Sequence, residues 1–337
     1  MADQVREMAA RCRNWGKWGA DDELGTLNYI TPETVVKATR TVKRGVTFSL
    51  ASGEIMGLAG ESGCGKTTLG YSLIHLAPPK RFVEGRVTLD REELPIWDTD
   101  KMNAFRFKKV SVVPQYAMSA MNPTRKIGKM TSELLESRGV SFKSMLPELK
   151  RRLDLVKLSH DVLNMYPIEL SGGMKQRMVM VISTLLNPSL LIADEITSAL
   201  DVSTQKAVAA MLVEFRNQSC CNSAIVITHD ISILYQIADS ILIMYAGKLA
   251  EKASTDVIIN SPRHPYTKLL ISSLPEIGVR YSEKKLTGIP GTPPPLLDPP
   301  TGCRFRERCP VAFEKCREEP PFVEVEKGHH VACWKEL

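Results

Sequence analysis

Gly60-Glu-Ser-Gly-Cys-Gly-Lys-Thr-Thr68 is the stretch on which the fold turns. It has the spacing G-x-x-x-x-G-K-[ST], and it lies between an apolar run, Ile55–Ala59, and a helical pattern, Leu69–Leu76. Strand, glycine-rich turn and helix in that order are what a phosphate-cradling loop requires. Glycines let backbone N–H groups curl around phosphate oxygens, and the helix N-terminus adds its dipole. In this reading Gly60, Ser62, Gly63, Cys64, Gly65, Lys66, Thr67 and Thr68 surround the phosphates of a nucleotide. Lys66 reaches the β- and γ-phosphates, and the Thr67 hydroxyl ligates Mg²⁺.

Outward from that loop the chain alternates strand-like runs with helical patterns, the sign of an α/β domain. The strand-like runs are Glu54–Ala59, Val110–Val113, Leu190–Ala193 and Ala224–Thr228. Ser189-Leu-Leu-Ile-Ala-Asp-Glu195 reads as a buried parallel strand whose C-terminal end delivers two carboxylates to the ligand crevice. Asp194 then holds Mg²⁺ and Glu195 polarises the attacking water, the positioning work that phosphoryl transfer needs. A solvated loop start is the bland alternative, and the upstream phosphate loop weighs against it. Leu170-Ser-Gly-Gly-Met-Lys-Gln-Arg177 supports two compatible readings. Ser171 caps a helix with Met178, Val181 and Ile182 on its core face, and the same helix start offers N–H groups to a phosphate.

The ordered set resembles the nucleotide-binding subunit of ATP-binding-cassette (ABC) transporters, over about residues 46–275. Its glutamine loop is Val113-Pro-Gln115, its D-loop Ser198-Ala-Leu-Asp201, and its switch histidine lies in Ile227-Thr-His-Asp230. The resemblance implies a P-loop NTPase cassette: a parallel sheet core, a helical subdomain and an antiparallel β-subdomain. It further implies head-to-tail dimers, with ATP between the phosphate loop of one subunit and Ser171, Gly172, Gly173 and Asp201 of the other. Catalytic roles fall on Glu195, His229 and Gln115, with Thr67, Gln115 and Asp194 at Mg²⁺. Tyr116–Pro123 resembles the permease-facing region, although its methionines fit core packing equally well.

Ser261-Pro-Arg-His-Pro-Tyr-Thr-Lys-Leu-Leu270, Ile289-Pro-Gly-Thr-Pro-Pro-Pro295 and Gly302-Cys-Arg-Phe-Arg-Glu-Arg-Cys-Pro310 narrow the resemblance. They are similar to the tail of oligopeptide/dipeptide (and nickel) importer ATPases. That group implies two transmembrane permease subunits, a second ATPase subunit, a substrate-binding protein acting indirectly, and a peripheral place on the cytoplasmic face of the membrane.

Composition agrees with a soluble globular chain of 337 residues, 43% apolar and 24% charged. No run approaches the ~18 apolar residues of a spanning helix. The 44 basic and 38 acidic residues leave a net charge of +6 that does not cluster, so nucleic acid is not an expected partner. The opening Met-Ala-Asp-Gln-Val-Arg-Glu lacks the apolar core of a secretory signal.

Of eight cysteines, Cys303, Cys309, Cys316 and Cys333 fall within the last 35 residues. Residues 276–337 read as a Pro-rich linker followed by a small Cys-rich module that invites a staple. The spacing lacks the short C-x₂₋₄-C knuckles common at zinc sites, whereas a [4Fe–4S] cluster tolerates wider spacing. Zinc and unligated thiols stay open beside the cluster, with His329 and His330 as alternative ligands. The resemblance also implies a cluster here in some relatives.

Residues 1–50 depart from the cassette pattern. Val46–Leu50 serves as a strand, but Asn14–Glu33, with Trp15 and Trp18, resembles the opening of cyclase/kynurenine-formamidase-like hydrolases. Their His-x-Gly-Thr-His-x-Asp metal site is missing from this chain. A fusion near Leu50–Ser52 is therefore expected, with Tyr29 the nearest adenine-stacking aromatic and Ile196 a further departure after Glu195. The competing functions are a catalytically impaired fusion product and a soluble, non-transport cassette ATPase.

Overall fold

The computed structural model describes residues 46–74, 80, 82–115, 120–198, 200–274 and 288–337. The expectations for Trp15, Trp18, Tyr29 and the helix after Thr31 lie outside them, as does much of Tyr116–Pro123.

The described residues form ten strands. They are β1 (Ile55–Ala59), β2 (Val87–Leu89), β3 (Glu92–Leu94), β4 (Val110–Val113), β5 (Leu190–Asp194), β6 (Ser223–Ile227), β7 (Ser240–Tyr245), β8 (Lys248–Ser254), β9 (Val323–Glu326) and β10 (His329–Val331). Eight make one sheet in the order β4-β5-β6-β1-β7-β8-β10-β9, and β2 pairs with β3 alone. From β4 to β7 all pairs are parallel; β8, β10 and β9 add antiparallel neighbours. Residues of β1, β5, β6 and β7 are buried throughout, because helices cover both faces of a parallel sheet. Helix Lys66–Ser72 lies so close to it that a Cβ on Gly70 would come within 2.6 Å of Ile227 Cδ1.

The apolar face of the helix that Ser171 caps, Gly172–Thr184, packs as expected, with Met178, Val181 and Ile182 buried. It joins helices Ile127–Glu136 and Phe142–Leu155, the expected helical subdomain. Met121 is buried in the same core, which favours packing for that methionine.

Val46–Leu50 corrects one expectation. It forms no ladder among the described residues: Val46, Phe48 and Leu50 pack against the core, and the Ser49 carbonyl accepts from the Lys252 ammonium instead of a strand N–H.

The C-terminal region corrects another, since it is no separate module. β10 pairs with β8 and extends the central sheet, and Phe305 enters the main core. The seam is polar and buried. Glu251 of β8 accepts from His329 Nε2 at 2.7 Å, from the Arg263 N–H at 2.7 Å and from the His264 N–H at 3.0 Å. His329 is therefore committed to a carboxylate, whereas His330 stacks on Phe322 with ring centroids 5.6 Å apart and its buried Nδ1 has no hydrogen-bond partner among the described residues. His264 caps helix Pro265–Ser272, its Nδ1 accepting from the Tyr266 N–H at 3.0 Å. That bond requires the neutral ring.

Burial lowers the pKa of His264 from 6.5 to about 4, with Lys268 adding to the effect and a hydrogen bond to the Ala332 backbone opposing it. As pH falls the unfolded chain takes up this proton first, so the associated stability is full above about 6.5 and is lost toward about 4. The loss should reach about 3 kcal/mol. Denaturant titrations across that window should show the slope, and His264→Asn, which still caps, should flatten it; equal slopes would contradict the assignment.

Candidate nucleotide-binding site

Sheet register brings the sequence-predicted residues to one edge. Leu58 of β1 aligns with Ile227 of β6, Ile227 with Asp194 of β5, and Ala193 with Val113 of β4. The loops leaving these strands therefore start side by side. They carry Gly60, Gln115, Glu195 and His229, at the carboxyl ends where open parallel sheets bind ligands.

The loop after β1 is built on glycines that no other residue replaces. Gly60 has φ 144°, and a Cβ there would lie 2.1 Å from the Met244 carbonyl oxygen. Gly65, at φ 101°, is the N-cap of helix Lys66–Ser72 and places no side chain over its free N–H groups. Cys64 is buried beneath the loop, where desolvation pushes its thiol up and keeps it neutral. The Lys66 ammonium donates to the Gly60 carbonyl at 2.8 Å and the Glu61 carbonyl at 3.1 Å. A buried cation is thus held inside the loop by weak acceptors, ready for a stronger anion. Ser62, Gly63, Thr67 and Thr68 are exposed along the rim.

Thr67 Oγ1 donates to Asp194 Oδ1 at 3.2 Å. Asp194 is fully buried, and its Oδ2 has no hydrogen-bond partner among the described residues. Burial, with Glu195 adding, pushes its carboxyl up, while Thr67 and Lys66 pull the other way. An orphaned buried carboxylate oxygen next to a hydroxyl is a hard-oxygen donor set, whose chemistry fits Mg²⁺. Gln115 is half-buried just past β4, on the same edge.

Glu195 Oε1 meets His229 Nδ1 at 3.0 Å. The backbone fixes that carboxylate: the Glu195 N–H donates to the Ile227 carbonyl at 2.8 Å, Ser198 Oγ donates to the Glu195 carbonyl at 2.9 Å, and φ is 47°. A left-handed conformation at a glutamate costs energy and persists where surrounding bonds determine it. The next residue, Ile196, is buried in the core.

Ser171 caps its helix as expected, accepting from the Met174 N–H at 3.3 Å, with Gly172 exposed in the first turn. No hydrogen bond among the described residues joins Ser171–Gly173 to the Gly60–Thr68 loop. Asp201 has a role within its own chain: it caps helix Val202–Asn217, accepting from the Thr204 N–H at 3.0 Å and from the Ser203 and Thr204 hydroxyls. Those bonds hold its carboxyl well below the usual range.

Cys303, Cys309, Cys316 and Cys333 line one pocket with His264, Phe305 and Trp334, and all four are free thiols. Desolvation raises Cys303 to about 11, with its three cysteine neighbours adding, and burial raises Cys309 and Cys333 as well. Among the described residues no group of three or more His, Cys, Asp or Glu side chains has metal-holding spacing. The cysteines converge on the pocket but do not make a formed ligand set.

The ABC transporter family matches residues 43–198, and the oligopeptide/dipeptide transporter C-terminal region matches residues 250–316. The dipeptide transport ATP-binding protein DppD of Caldanaerobacter subterraneus is 36% identical over 90% of this chain and 93% of its own. This chain belongs to the ABC transporter ATP-binding subunits of the oligopeptide/dipeptide group. DppD of Bacillus subtilis is 37% identical over 92% of this chain and 94% of its own; the oligopeptide transport ATP-binding protein OppD of Escherichia coli is 36% identical over 92% and 90%.

Solved structures agree on the fold. A dimeric ATP-binding cassette in a post-hydrolysis state bound to ADP and Pi has a TM-score of 0.53 at 23% identity, covering 62% of this chain and 89% of that one. An ATP-binding subunit of an ABC transporter has a TM-score of 0.52 at 25% identity, covering 63% and 83%.

As an ABC ATPase the subunit binds and hydrolyses ATP, and no helix among the described residues is long and apolar enough to cross a membrane. The formamidase-like reading of residues 14–33 gains no support. The ABC transporter match begins at residue 43, ahead of the expected junction, and 8% of 337 residues (about 27) is all that the B. subtilis DppD match leaves uncovered. Sequence reasoning gave no role to Tyr266, Tyr245 or Arg308, which pack around the phosphate loop. Tyr266 and Arg308 were visible only as letters in the tail motifs.

Proposed function

We propose that this ABC ATPase powers the import of peptides, acting at the cytoplasmic face of the membrane against two permease subunits and with a second ATPase subunit. The observation that carries the proposal is the double match: cassette and C-terminal region both align with relatives named as dipeptide and oligopeptide transport ATP-binding proteins. A permease pair and a binding protein would choose the cargo.

In this reading the phosphates of ATP lie in the Gly60–Thr68 loop, and Ser171, Gly172, Gly173 and Asp201 of a second cassette close over them. Lys66 leaves its two loop carbonyls for phosphate oxygens, a stronger partner for a cation. Thr67, Gln115 and Asp194 hold Mg²⁺, which neutralises phosphate charge when bound. Glu195 accepts the proton of the attacking water as its oxygen bonds to the γ-phosphorus. The bond to the bridging oxygen breaks, and ADP departs with the electron pair. His229 keeps the Glu195 carboxylate aimed and faces the γ-phosphate. The test is uptake of labelled di- and oligopeptides by vesicles carrying the reconstituted transporter. ATP-dependent uptake that Glu195→Gln abolishes is expected; ATP hydrolysis without uptake of any peptide would refute the cargo class.

At the C-terminal pocket we infer a [4Fe–4S] cluster held by Cys303, Cys309, Cys316 and Cys333. Support comes from four free thiols converging on one pocket, and the closing-up of their sulfurs to ligating distance is the change that cluster assembly would require. Anaerobically purified chain should be brown and contain iron; colourless, iron-free chain, with or without zinc, overturns the cluster.

A further inference from the structure

Between the first two clustered cysteines runs Cys303-Arg-Phe-Arg-Glu-Arg-Cys309, and three of its side chains reach the nucleotide edge of the cassette. Arg308 makes a two-pronged ion pair with Glu61 of the phosphate loop: Nη1 to Oε2 at 2.7 Å and Nη2 to Oε1 at 2.9 Å. Its guanidinium also donates to Tyr245 Oη at 3.1 Å and to the carbonyls of Pro290 and Ile289 at 2.7 and 3.3 Å. The Arg308 side chain is 6% exposed, so water competes little for these bonds. Phe305 wedges into Tyr245 and Tyr266, with ring centroids 5.1 and 5.3 Å apart. Arg304 donates to the Ala246 carbonyl. The next residue, Gly247, donates its N–H to the Cys64 carbonyl at 2.8 Å.

The loop is thus held at three points from one side. The Glu61 carboxylate goes to Arg308, the Glu61 N–H goes to Tyr266 Oη at 2.9 Å, and the Cys64 carbonyl goes to the turn that Arg304 fastens. Glu61 directly follows Gly60, and its carbonyl is one of the two that hold Lys66. A planar fork on a carboxylate fixes direction as well as distance, which a lysine cannot reproduce.

We propose that Arg308 is a positioning residue for nucleotide binding: through Glu61 it fixes the phosphate loop in its binding-competent shape, so the cysteine-lined C-terminal region sets the affinity of the cassette for ATP. The proposal rests on the nucleotide-binding reading above and adds to it a residue some 250 positions from the loop it serves. Preorganisation is the physical gain. A loop already in shape loses less conformational entropy when the phosphates arrive. The C-terminal strands would then be part of the nucleotide site and not only a cap on the sheet edge.

The test measures a fluorescent ATP analogue binding to the purified full chain, beside its melting temperature without nucleotide. Arg308→Met should weaken binding about tenfold and Glu61→Gln about threefold, with Arg308→Lys recovering only part of the loss. The double variant should bind no more weakly than Arg308→Met alone, because both changes remove one pair. Wild-type affinity in folded Arg308→Met and Glu61→Gln overturns the proposal, even if the melting temperature falls; so do effects that add. If Arg308→Met does not fold, Glu61→Gln decides alone. Wild-type chain that fails to bind the analogue would instead refute the nucleotide reading.

Discussion

Glu195→Gln is expected to cut ATP hydrolysis by about 100-fold or more while nucleotide affinity stays within about twofold. Glutamine has the shape of glutamate, so the backbone bonds that fix this residue, Glu195 N–H to Ile227 and Ser198 Oγ to the Glu195 carbonyl, survive. What is lost is the acceptor for the proton of water, and with it the charge facing His229 Nδ1 at 3.0 Å. Binding is carried by a different set, Lys66, Thr67 and the loop N–H groups, so affinity is spared. His229→Ala should be milder, since it removes the aim of the base and not the base. Rapid-quench hydrolysis and nucleotide titration on the same preparations check both halves. An unchanged rate in Glu195→Gln would show that another group takes the proton.

The second large effect belongs to Gly60→Ala. A methyl group at this position would stand 2.1 Å from the Met244 carbonyl oxygen, a backbone atom of β7 and not a side-chain tip that can swing away. The residue also has φ 144°, which L side chains adopt only under strain. Either the loop lifts or the strand shifts, at about 2–4 kcal/mol of stability. A lifted loop also withdraws the Gly60 and Glu61 carbonyls from Lys66, so nucleotide binding should fall about 100-fold. Gly63→Ala is the matched control: φ is 79° there, but the space for a Cβ is open, so the strain comes without the collision. Chemical denaturation and nucleotide titration should rank the two clearly, and equal losses would place the effect in backbone strain alone.

The legible part of the site is the part written in contiguous residues. Gly60–Thr68 folds on local terms, because glycine spacing and a following helix define a phosphate loop whatever else surrounds it. Asp194 and Glu195 were readable because a continuous apolar run predicts a buried strand, and the end of such a strand opens onto the crevice. Ser171 was readable as a cap. Asp201 shows where that kind of reading stops: its carboxylate serves its own helix, a local use that motif order does not display. The cysteine count found four residues that do share a pocket, while the other residues lining that pocket, His264 and Pro265 among them, come from far away in sequence.

The sequence by itself determined the phosphate loop, the four strand-like runs that became β1, β4, β5 and β6, and the carboxylates Asp194 and Glu195 at the end of one of them. These follow from periodicity and spacing, which a chain carries without folding. Tertiary structure alone decided that the C-terminal region is not a separate module. β10 joins β8 because Glu251, alone among charges on that strand in being fully buried, needs His329 and two backbone N–H groups to satisfy it. Arg308 reaches Glu61 because that pairing brings residues 303–309 against the phosphate loop. These contacts span 78 and 247 residues, and at such separations the partner of a charge is fixed by packing and not by spacing.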